Sequence, residues 1–216
     1  MTSERIEDEY RMSQDAVDAP PAVSLVLAPL MHGAAQWTTL GGLIKGLTSV
    51  LLRQFSGHAV WSAVAEYKIA TIAITGDAMA IPLIDALREK DYDLSSLVAI
   101  ASTAAVFSPV VKDQLFELLP NLFISEAVGS SEGGFNGMRL VEKGKTATDG
   151  LINVTPGPDT IVIDEQRRPV RLGETGLLAR GGNVPLAYYK DPEKSAATCL
   201  EVEGKRFSVP GDSARL

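Results

Sequence analysis

The chain has 216 residues, of which 45% are hydrophobic, 22% charged and 6% aromatic. This composition is ordinary for a globular protein, so it excludes a disordered, collagen-like or coiled-coil chain, and the length suffices for one sizeable core or two smaller ones. The net charge of −7 and the lack of a Lys/Arg cluster exclude a protein that mainly neutralises nucleic-acid phosphates.

The chain begins with an acidic stretch, residues 1–21, which we predict to be a flexible, solvated segment. Residues 22–140 then alternate short apolar runs with helical periods, which predicts an α/β subdomain with a parallel sheet flanked by helices. The predicted strands are residues 23–27, 49–52, 69–74, 97–101 and 122–125. The predicted helices are residues 34–43, 58–67, 78–89 and 109–119.

Two of these helices carry the most detailed signals. In helix 109–119, Ser108 can cap the free amides and Pro109 suits the first position. The residues predicted for its apolar face are Val111, Leu115, Leu118 and Leu119. In helix 78–89, Pro82 falls near the first turn. The predicted inward stripe of that helix consists of Ile81, Ile84 and Leu87.

The texture changes after Gly129 to glycines, prolines and short alternating runs. It predicts a smaller β-rich part over residues 141–216, in the form of a distorted barrel. Strands are predicted at residues 151–154, 160–163 and 176–179. One short helix is predicted to begin at Asp191-Pro192, because Asp191 can cap it and Pro192 suits its first position.

Ligands of an open parallel sheet bind beyond the carboxyl ends of its strands, and four loops follow strands in that way. These loops are residues 29–33, 75–77, 102–107 and 128–134. The last contains Gly129-Ser130-Ser131-Glu132-Gly133-Gly134. Glycine amides and hydroxyls suit phosphate oxygens, and a lone carboxylate suits Mg²⁺. A surface turn rich in Gly and Ser explains the same stretch equally well.

Other motifs match only in part. The same stretch satisfies the G-x-S-x-G pattern of a hydrolase, but both histidines, His32 and His58, precede Ser131, whereas that fold places its catalytic base after the serine. The Gly-Lys-Thr at residues 144–146 lacks the glycine of a phosphate-binding loop, because Arg139 stands there. A serine hydrolase and a P-loop nucleotidase are therefore disfavoured.

Five blocks in order resemble the AMP-forming acyl-CoA synthetases of the adenylate-forming superfamily. They are residues 28–34, 101–109, 126–132, 173–189 and 210–212. The resemblance implies a ligase of fatty-acid and lipid metabolism that activates a fatty or sterol-derived carboxylic acid as acyl-AMP and transfers it to coenzyme A. ATP, Mg²⁺ and coenzyme A would be its small-molecule partners. The sequences of residues 91–97 and 129–134 are most similar to those of actinobacterial enzymes of this family.

The resemblance also implies roles for single residues. Ser131 and Glu132 would be catalytic, with Ser131 on the α-phosphate and Glu132 binding the metal, and Asp212 would bind the ribose hydroxyls. The other implied nucleotide-binding residues are Thr103, Ala104, Glu126, Val128, Gly129 and Ser130, with Glu126 at the adenine amino group. The implied acyl and coenzyme A channel contains His32, Gly33, Trp37 and Gly76.

The chain departs from the family pattern in several places. Val128 replaces an aromatic that would stack on adenine, a loss of about 1–3 kcal/mol by analogy with base–aromatic contacts. Thr103-Ala104 stands where glycines are usual. Neither the family's phosphate loop nor its lysine-bearing small domain is found in these residues, so we expect weak or no activity from this chain alone. The alternative is a non-catalytic fragment or pseudoenzyme that binds acyl chains, coenzyme A or nucleotide.

Cys199 is the only cysteine, which excludes an internal disulfide and a multi-cysteine metal cluster. No secretory signal pattern and no long apolar run is evident, so we predict a cytoplasmic protein without a membrane span. Nothing in the pattern indicates the length of the acid, and a homodimer remains an open alternative.

Overall fold

The computed structural model describes residues 6–144 and 152–216, which form two compact units. The first unit holds residues 6–127 together with 139–144 and 152–154, and the second holds residues 128–138 and 155–216. The predicted boundary lies after residue 140, although the character of the sequence changes after Gly129. In the structure the chain passes from the first unit to the second after Ala127 and returns to the first unit at Arg139. Both crossings lie within β-strands.

The first unit contains a parallel sheet in the order β2-β1-β3-β4-β5. Its strands are β1 (Val23–Val26), β2 (Thr48–Val50), β3 (Thr71–Ile74), β4 (Ala99–Thr103) and the first part of β5 (Phe123–Ser130). In the register, Ile72 lies opposite Ile100 and Ile100 opposite Ile124, so three buried isoleucines cross the middle of the sheet. All five predicted parallel strands are confirmed.

Helices follow the strands as the periodicity predicts. They are α1 (Ile6–Asp15), α2 (Gly33–Ile44), α3 (Gly57–Tyr67), α4 (Gly76–Glu89) and α5 (Pro109–Leu118). The last four confirm the predicted helices to within two residues at each end. Helix α1 lies in the segment for which a flexible tail was predicted, and Tyr10 on it is exposed. Among the described residues, no helix has both the length and the apolar character needed to cross a membrane.

In helices α4 and α5, apolar periodicity predicted the helix but not every detail of its start and buried face. Helix α4 begins at Gly76, two residues earlier than predicted, so Pro82 lies inside the helix and not near its first turn. Of the predicted inward stripe, Ile84 is buried and Leu87 packs against the core, whereas Ile81 is 45% exposed. In α5, Ser108 caps the helix by accepting a hydrogen bond from the Val111 amide, as predicted. The last turn is less buried, because Leu118 is 38% exposed.

The core of the first unit lies between the sheet and helices α3, α4 and α5. Trp61 on α3 is fully buried there, and its indole nitrogen donates a hydrogen bond of 2.8 Å to the carbonyl oxygen of Leu83. This pairing satisfies the one polar atom of a large apolar side chain. The expectation that Trp61 is a core residue is therefore confirmed.

The second unit is β-rich, as predicted. Its elements are the end of β5, the first part of β6 (Gly134–Val141), β7 (Thr155–Pro156), β8 (Thr160–Ile163), β9 (Thr175–Arg180), α6 (Pro192–Thr198), β10 (Cys199–Val202), β11 (Lys205–Ser208) and β12 (Ser213–Arg215). Strand β9 is central, with antiparallel partners β8, β11 and β12. The predicted strands 160–163 and 176–179 are confirmed, and Asp191 caps α6.

The strand predicted at residues 151–154 is wrong where it can be judged. Leu151 lies outside the described residues, and residues 152–154 form no strand. The strand begins one residue later, at β7, where Thr155 and Pro156 pair with Met138 and Gly137 of β6. The position of that partner strand decides which residues pair, and the local alternation of residues 151–154 does not contain this information.

Candidate functional site

The glycine- and serine-rich stretch forms the turn between β5 and β6, which are hydrogen-bonded neighbours. Gly129 is required there, because a Cβ atom on it would lie 2.5 Å from the carbonyl oxygen of Gly134. Ser130 closes the turn by accepting a hydrogen bond of 2.8 Å from the Gly133 amide on its Oγ atom. We call residues Gly129–Gly134 the hairpin turn.

The two serines of the hairpin turn differ in availability. Ser130 Oγ accepts a bond within the turn, which leaves its hydroxyl hydrogen for donation to a ligand. Ser131 is exposed at the tip. Both therefore keep a hydroxyl donor for a phosphate oxygen, and Val128, half-buried on β5, precedes them. His58 is not free to act as a base for Ser131, since its ring nitrogens are hydrogen-bonded to Tyr92 and Glu89.

Glu132 on the hairpin turn is partly buried and accepts a hydrogen bond of 2.5 Å from the phenolic oxygen of Tyr188. This hydrogen bond, with desolvation as a second cause, raises the pKa of Tyr188 above its usual value. The phenol is therefore a neutral donor at neutral pH and leaves the charge of the carboxylate uncancelled. Tyr188 was not among the predicted site residues, although it lies in the block of residues 173–189.

Strand β9 brings the hairpin turn and Asp212 to neighbouring positions within the second unit. A Cβ atom on Gly133 would lie 3.3 Å from the Cβ atom of Arg180. The backbone amide of Leu178 donates a hydrogen bond of 2.8 Å to the carbonyl oxygen of Asp212. Leu178 and Arg180 are two residues apart on one strand, a rise of about 7 Å. The hairpin turn and the backbone of Asp212 thus both lie beside β9, at residues two positions apart.

Arg180 is a charged residue near the turn that the sequence analysis missed. Its guanidinium donates to the carbonyl oxygen of Pro158 and lies 3.5 Å from a carboxylate oxygen of Asp159. Asn136 on β6 is buried close by, with its side-chain oxygen 3.4 Å from the position of a Cβ atom on Gly133. That oxygen has no hydrogen-bond partner among the described residues. Side chains at the base of the turn are therefore polar and packed.

The residues present fit a magnesium ion that is shared with a nucleotide. In the part of the chain that the structure describes, no group of three or more His, Cys, Asp or Glu side chains could hold a metal by itself. Glu132 supplies one carboxylate. Mg²⁺ bound with a nucleotide takes most of its ligands from phosphates and water and needs only one or two carboxylates from the protein. A dedicated all-protein metal cage does not fit.

Glu126 is placed differently from Glu132. It is 3% exposed in the first unit, and Lys112 Nζ donates to both of its carboxylate oxygens at 3.0 Å. Arg139 adds contacts of 2.7 Å from Nε and 2.6 Å from its terminal nitrogen to Oε2. A contact between Glu126 and an adenine amino group would have to compete with these two cations. We call Lys112, Glu126 and Arg139 the buried triad.

The sequence held a weak signal for this triad. Lys112 lies beside the buried residues Val111, Leu115 and Phe116 of α5, and a lysine in such surroundings needs an anionic partner. Lys112 itself is 2% exposed. Arg139 entered the sequence analysis only as the residue that breaks a phosphate-loop pattern. Neither residue could be assigned a partner from spacing alone.

Thr103 and Ala104 follow β4. The Thr103 hydroxyl donates a hydrogen bond of 2.9 Å to the carbonyl oxygen of Ala127. Ala104 has a backbone φ of +66°, in the left-handed region that favours glycine. The family's glycine at this place is thus matched by a backbone conformation that glycine adopts without strain, and Ala104 adopts it at a cost.

The residues predicted for an acyl and coenzyme A channel lie at two helix starts of the first unit. His32 is exposed at the N-cap position of α2 without a side-chain cap, Gly33 opens that helix, and Trp37 one turn later is half-buried. Gly76 opens α4 and is closely packed. Its amide donates to Ser102 Oγ, and a Cβ atom on it would lie 2.1 Å from the carbonyl oxygen of Val106.

Comparison with known proteins gives consistent matches. The family described as AMP-binding enzyme matches residues 5–189. The chain is 43% identical over 224 residues to a 3-oxocholest-4-en-26-oate–CoA ligase of Rhodococcus rhodochrous. It is 44% identical over 218 residues to a medium/long-chain-fatty-acid–CoA/3-oxocholest-4-en-26-oate–CoA ligase of Mycobacterium marinum. Each match includes all of this chain and 40% of the relative, so the chain spans about 40% of the length of these relatives.

Solved structures share the fold. The nonribosomal peptide synthetase FmoA3 superposes on 95% of this chain and 23% of its own with a TM-score of 0.81 at 19% identity. The amide bond synthetase Mcba from Marinactinospora thermotolerans superposes on 95% of this chain and 42% of its own with a TM-score of 0.75 at 21% identity. At these identities the likeness shows the fold and nothing about substrates.

Proposed function

The chain belongs to the AMP-binding enzyme family, and from this membership we propose that it is part of an ATP-dependent, AMP-forming acyl-CoA synthetase. In that reaction a carboxylate attacks the α-phosphate of ATP and pyrophosphate leaves. The thiol of coenzyme A then attacks the acyl carbon and displaces AMP. The relatives' names mention fatty acids and a sterol-derived acid, so the proposed substrate is a fatty or sterol-derived carboxylic acid.

One observation carries the proposal. The hairpin turn lies beside Arg180 of β9, and the backbone of Asp212 is hydrogen-bonded to Leu178 of the same strand. The α-phosphate and the ribose are adjacent groups of one nucleotide, so a phosphate-binding turn and a ribose-binding carboxylate have to lie close together. The positions of the hairpin turn and Asp212 beside one strand support this proximity, although the two segments are far apart in sequence.

The proposed role of each residue follows from the chemistry of its side chain. The Ser131 hydroxyl and the turn amides donate to the α-phosphate, which holds it for attack and stabilises the charge that develops on it. Glu132 supplies a carboxylate for Mg²⁺, which would offset phosphate charge when bound. Asp212 accepts from the ribose hydroxyls. Val128 lies against the base without the stacking energy of an aromatic ring, so base binding depends more on the surrounding backbone.

The remaining expected residues stay proposals. Thr103, Ala104, Gly129 and Ser130 are proposed to line the nucleotide site. His32, Gly33, Trp37 and Gly76 are proposed to line the acyl and coenzyme A channel. A cytoplasmic location is proposed because both ATP and coenzyme A would be substrates. The alternative of a homodimer is tested by sedimentation of the purified chain.

The test is calorimetric titration of the 216-residue chain with ATP, with and without Mg²⁺. The wild-type chain should bind ATP more tightly with Mg²⁺. Glu132→Ala should lose this magnesium-dependent gain, about tenfold or more in affinity, because a contact to a charged group contributes about 1.5–3 kcal/mol. Glu165→Ala, at an exposed turn of the same unit, is the matched control and should bind as the wild type does.

Two results would contradict the proposal. Equal magnesium dependence in Glu132→Ala and the wild type would remove Glu132 from the site. Tight binding of coenzyme A without any binding of ATP or AMP would favour the non-catalytic alternative. Acyl-CoA formation by this chain from mixed fatty acids, followed by mass spectrometry, should be weak or absent, and turnover at rates typical of the family would contradict that expectation.

A further inference from the structure

The Tyr188 hydroxyl donates a hydrogen bond to the Glu132 side chain, with 2.5 Å between the phenolic oxygen and Oε1. The two residues are 56 positions apart in sequence and belong to the same unit. An O–H···O⁻ bond of about 2.5–2.7 Å has the length of a charge-assisted hydrogen bond, and such bonds are roughly twice as strong as neutral ones. The contact therefore restrains the carboxylate.

Tyr188 is itself held by contacts that do not involve Glu132. Its backbone amide donates a hydrogen bond of 2.8 Å to Ser195 Oγ, and that hydroxyl donates at 2.5 Å to the carbonyl oxygen of Asp191. The Lys194 ammonium lies 4.1 Å from the centre of the Tyr188 ring, within the range of a cation–π interaction. The start of α6 thus fixes the ring in place before any ligand binds.

The chemistry of the donor matters as much as its position. A lysine or arginine beside Glu132 would cancel its charge, as Lys112 and Arg139 do for Glu126. A phenol fixes the orientation of the carboxylate through one oxygen and leaves the full negative charge for a cation. This combination suits a carboxylate that has to be oriented in advance and still attract a metal–nucleotide complex.

We propose that Tyr188 is a positioning residue for Glu132, which orients the carboxylate toward magnesium-bound nucleotide. The inference rests on the proposed function, because the nucleotide and its metal are what the oriented carboxylate would meet. The neighbouring residue supplies a contrast, since Tyr189 is 88% exposed. Only the first of these two adjacent tyrosines has a hydroxyl on Glu132.

The experiment compares Tyr188→Phe with Tyr189→Phe in the whole chain. ATP is titrated by calorimetry at several Mg²⁺ concentrations, and hydrogen exchange of residues 129–134 is measured without ligand. Tyr188→Phe should weaken ATP binding in the presence of Mg²⁺ about tenfold, as expected for loss of a hydrogen bond to a charged group, and should leave binding without Mg²⁺ unchanged. It should also speed exchange in the hairpin turn but not in β8. Tyr189→Phe should change neither measurement.

The outcomes separate the two proposals. If the wild-type chain binds no ATP at any Mg²⁺ concentration, the proposed function fails for this chain, while faster exchange of the turn in Tyr188→Phe would still support positioning. If exchange of the turn is unchanged in Tyr188→Phe, the positioning role is overturned. It is also overturned if the variant weakens ATP binding equally with and without Mg²⁺, because a merely structural role would produce that result.

Discussion

The family resemblance implies that Glu126 and Glu132 both belong to the nucleotide site, but the two carboxylates have opposite surroundings. In the first unit Glu126 is buried, and Lys112 and Arg139 occupy its oxygens. In the second unit Glu132 is partly buried on the hairpin turn and meets the neutral phenol of Tyr188. The cations cancel the charge of Glu126, whereas the phenol leaves the charge of Glu132 available to a metal ion.

The same contrast extends to other predicted site residues. In the first unit Thr103 is bonded to the backbone of β5, and Gly76 is packed against the loop that follows β4. In the second unit Ser131 is exposed on the turn. Thr103 and Gly76 thus also serve the fold of the first unit, besides the ligand roles that the family resemblance implies for them. We therefore expect substitutions there to change stability, and substitutions on the hairpin turn to change binding.

The largest effect is expected for Glu126→Gln. The substitution leaves Lys112 and Arg139 buried without a counter-charge, and breaking a buried ion pair from one side costs about 3–5 kcal/mol. The free energy of unfolding in urea should fall by that amount. Glu165→Gln, exposed on a turn, is the control and should change it by less than about 0.5 kcal/mol. Similar stabilities of Glu126→Gln and Glu165→Gln would contradict the structural role of Glu126.

Gly76→Ala should have the next largest effect. The new Cβ atom would lie 2.1 Å from the carbonyl oxygen of Val106, at a backbone φ of +56°. Strain of this kind and overpacking together should lower the free energy of unfolding by about 2–3 kcal/mol. Gly41→Ala is the matched control, because a Cβ atom there meets nothing within 4 Å and α2 should gain about 0.5–1 kcal/mol in helix propensity. A stable Gly76→Ala variant would show that the loop yields.

Ala104→Gly should act in the opposite direction. Ala104 pays for a left-handed backbone, at a cost of about 1–2 kcal/mol, and glycine removes that strain while gaining flexibility in the unfolded chain. The free energy of unfolding should rise by about 0.5 kcal/mol as the net of these two terms. Ala78→Gly on the exposed face of α4 should lower it by about 0.5–1 kcal/mol. Equal losses in both variants would contradict the strain at residue 104.

The smallest effect on stability is expected for Glu132→Gln. Its side-chain carbonyl can still accept the hydrogen bond from Tyr188, so the free energy of unfolding should change by less than about 0.5 kcal/mol. Thermal melts of Glu132→Gln and Glu126→Gln, recorded under the same conditions, measure the contrast directly. A large loss for Glu132→Gln would mean that the second carboxylate also serves the fold.

Local patterns determined most of the elements of this protein. The strands of the parallel sheet and helices α2 to α5 were predicted from apolar periodicity, and Ser108 and Asp191 cap helices as their positions indicated. These features depend on residues within a few positions of one another, so a single sequence contains them. The hairpin turn could likewise be predicted as a candidate ligand site, because its glycines, serines and glutamate directly follow a strand.

Only the tertiary structure decided what each polar side chain contacts. The loop after β4 contacts the start of α4, where Val106 accepts a hydrogen bond from the Asp77 amide. Glu126 is matched with Lys112 and Arg139, and Glu132 with Tyr188, because strands and helices distant in sequence pack together. Spacing reveals which face a residue occupies, but a partner from another element is known only when that element has been placed.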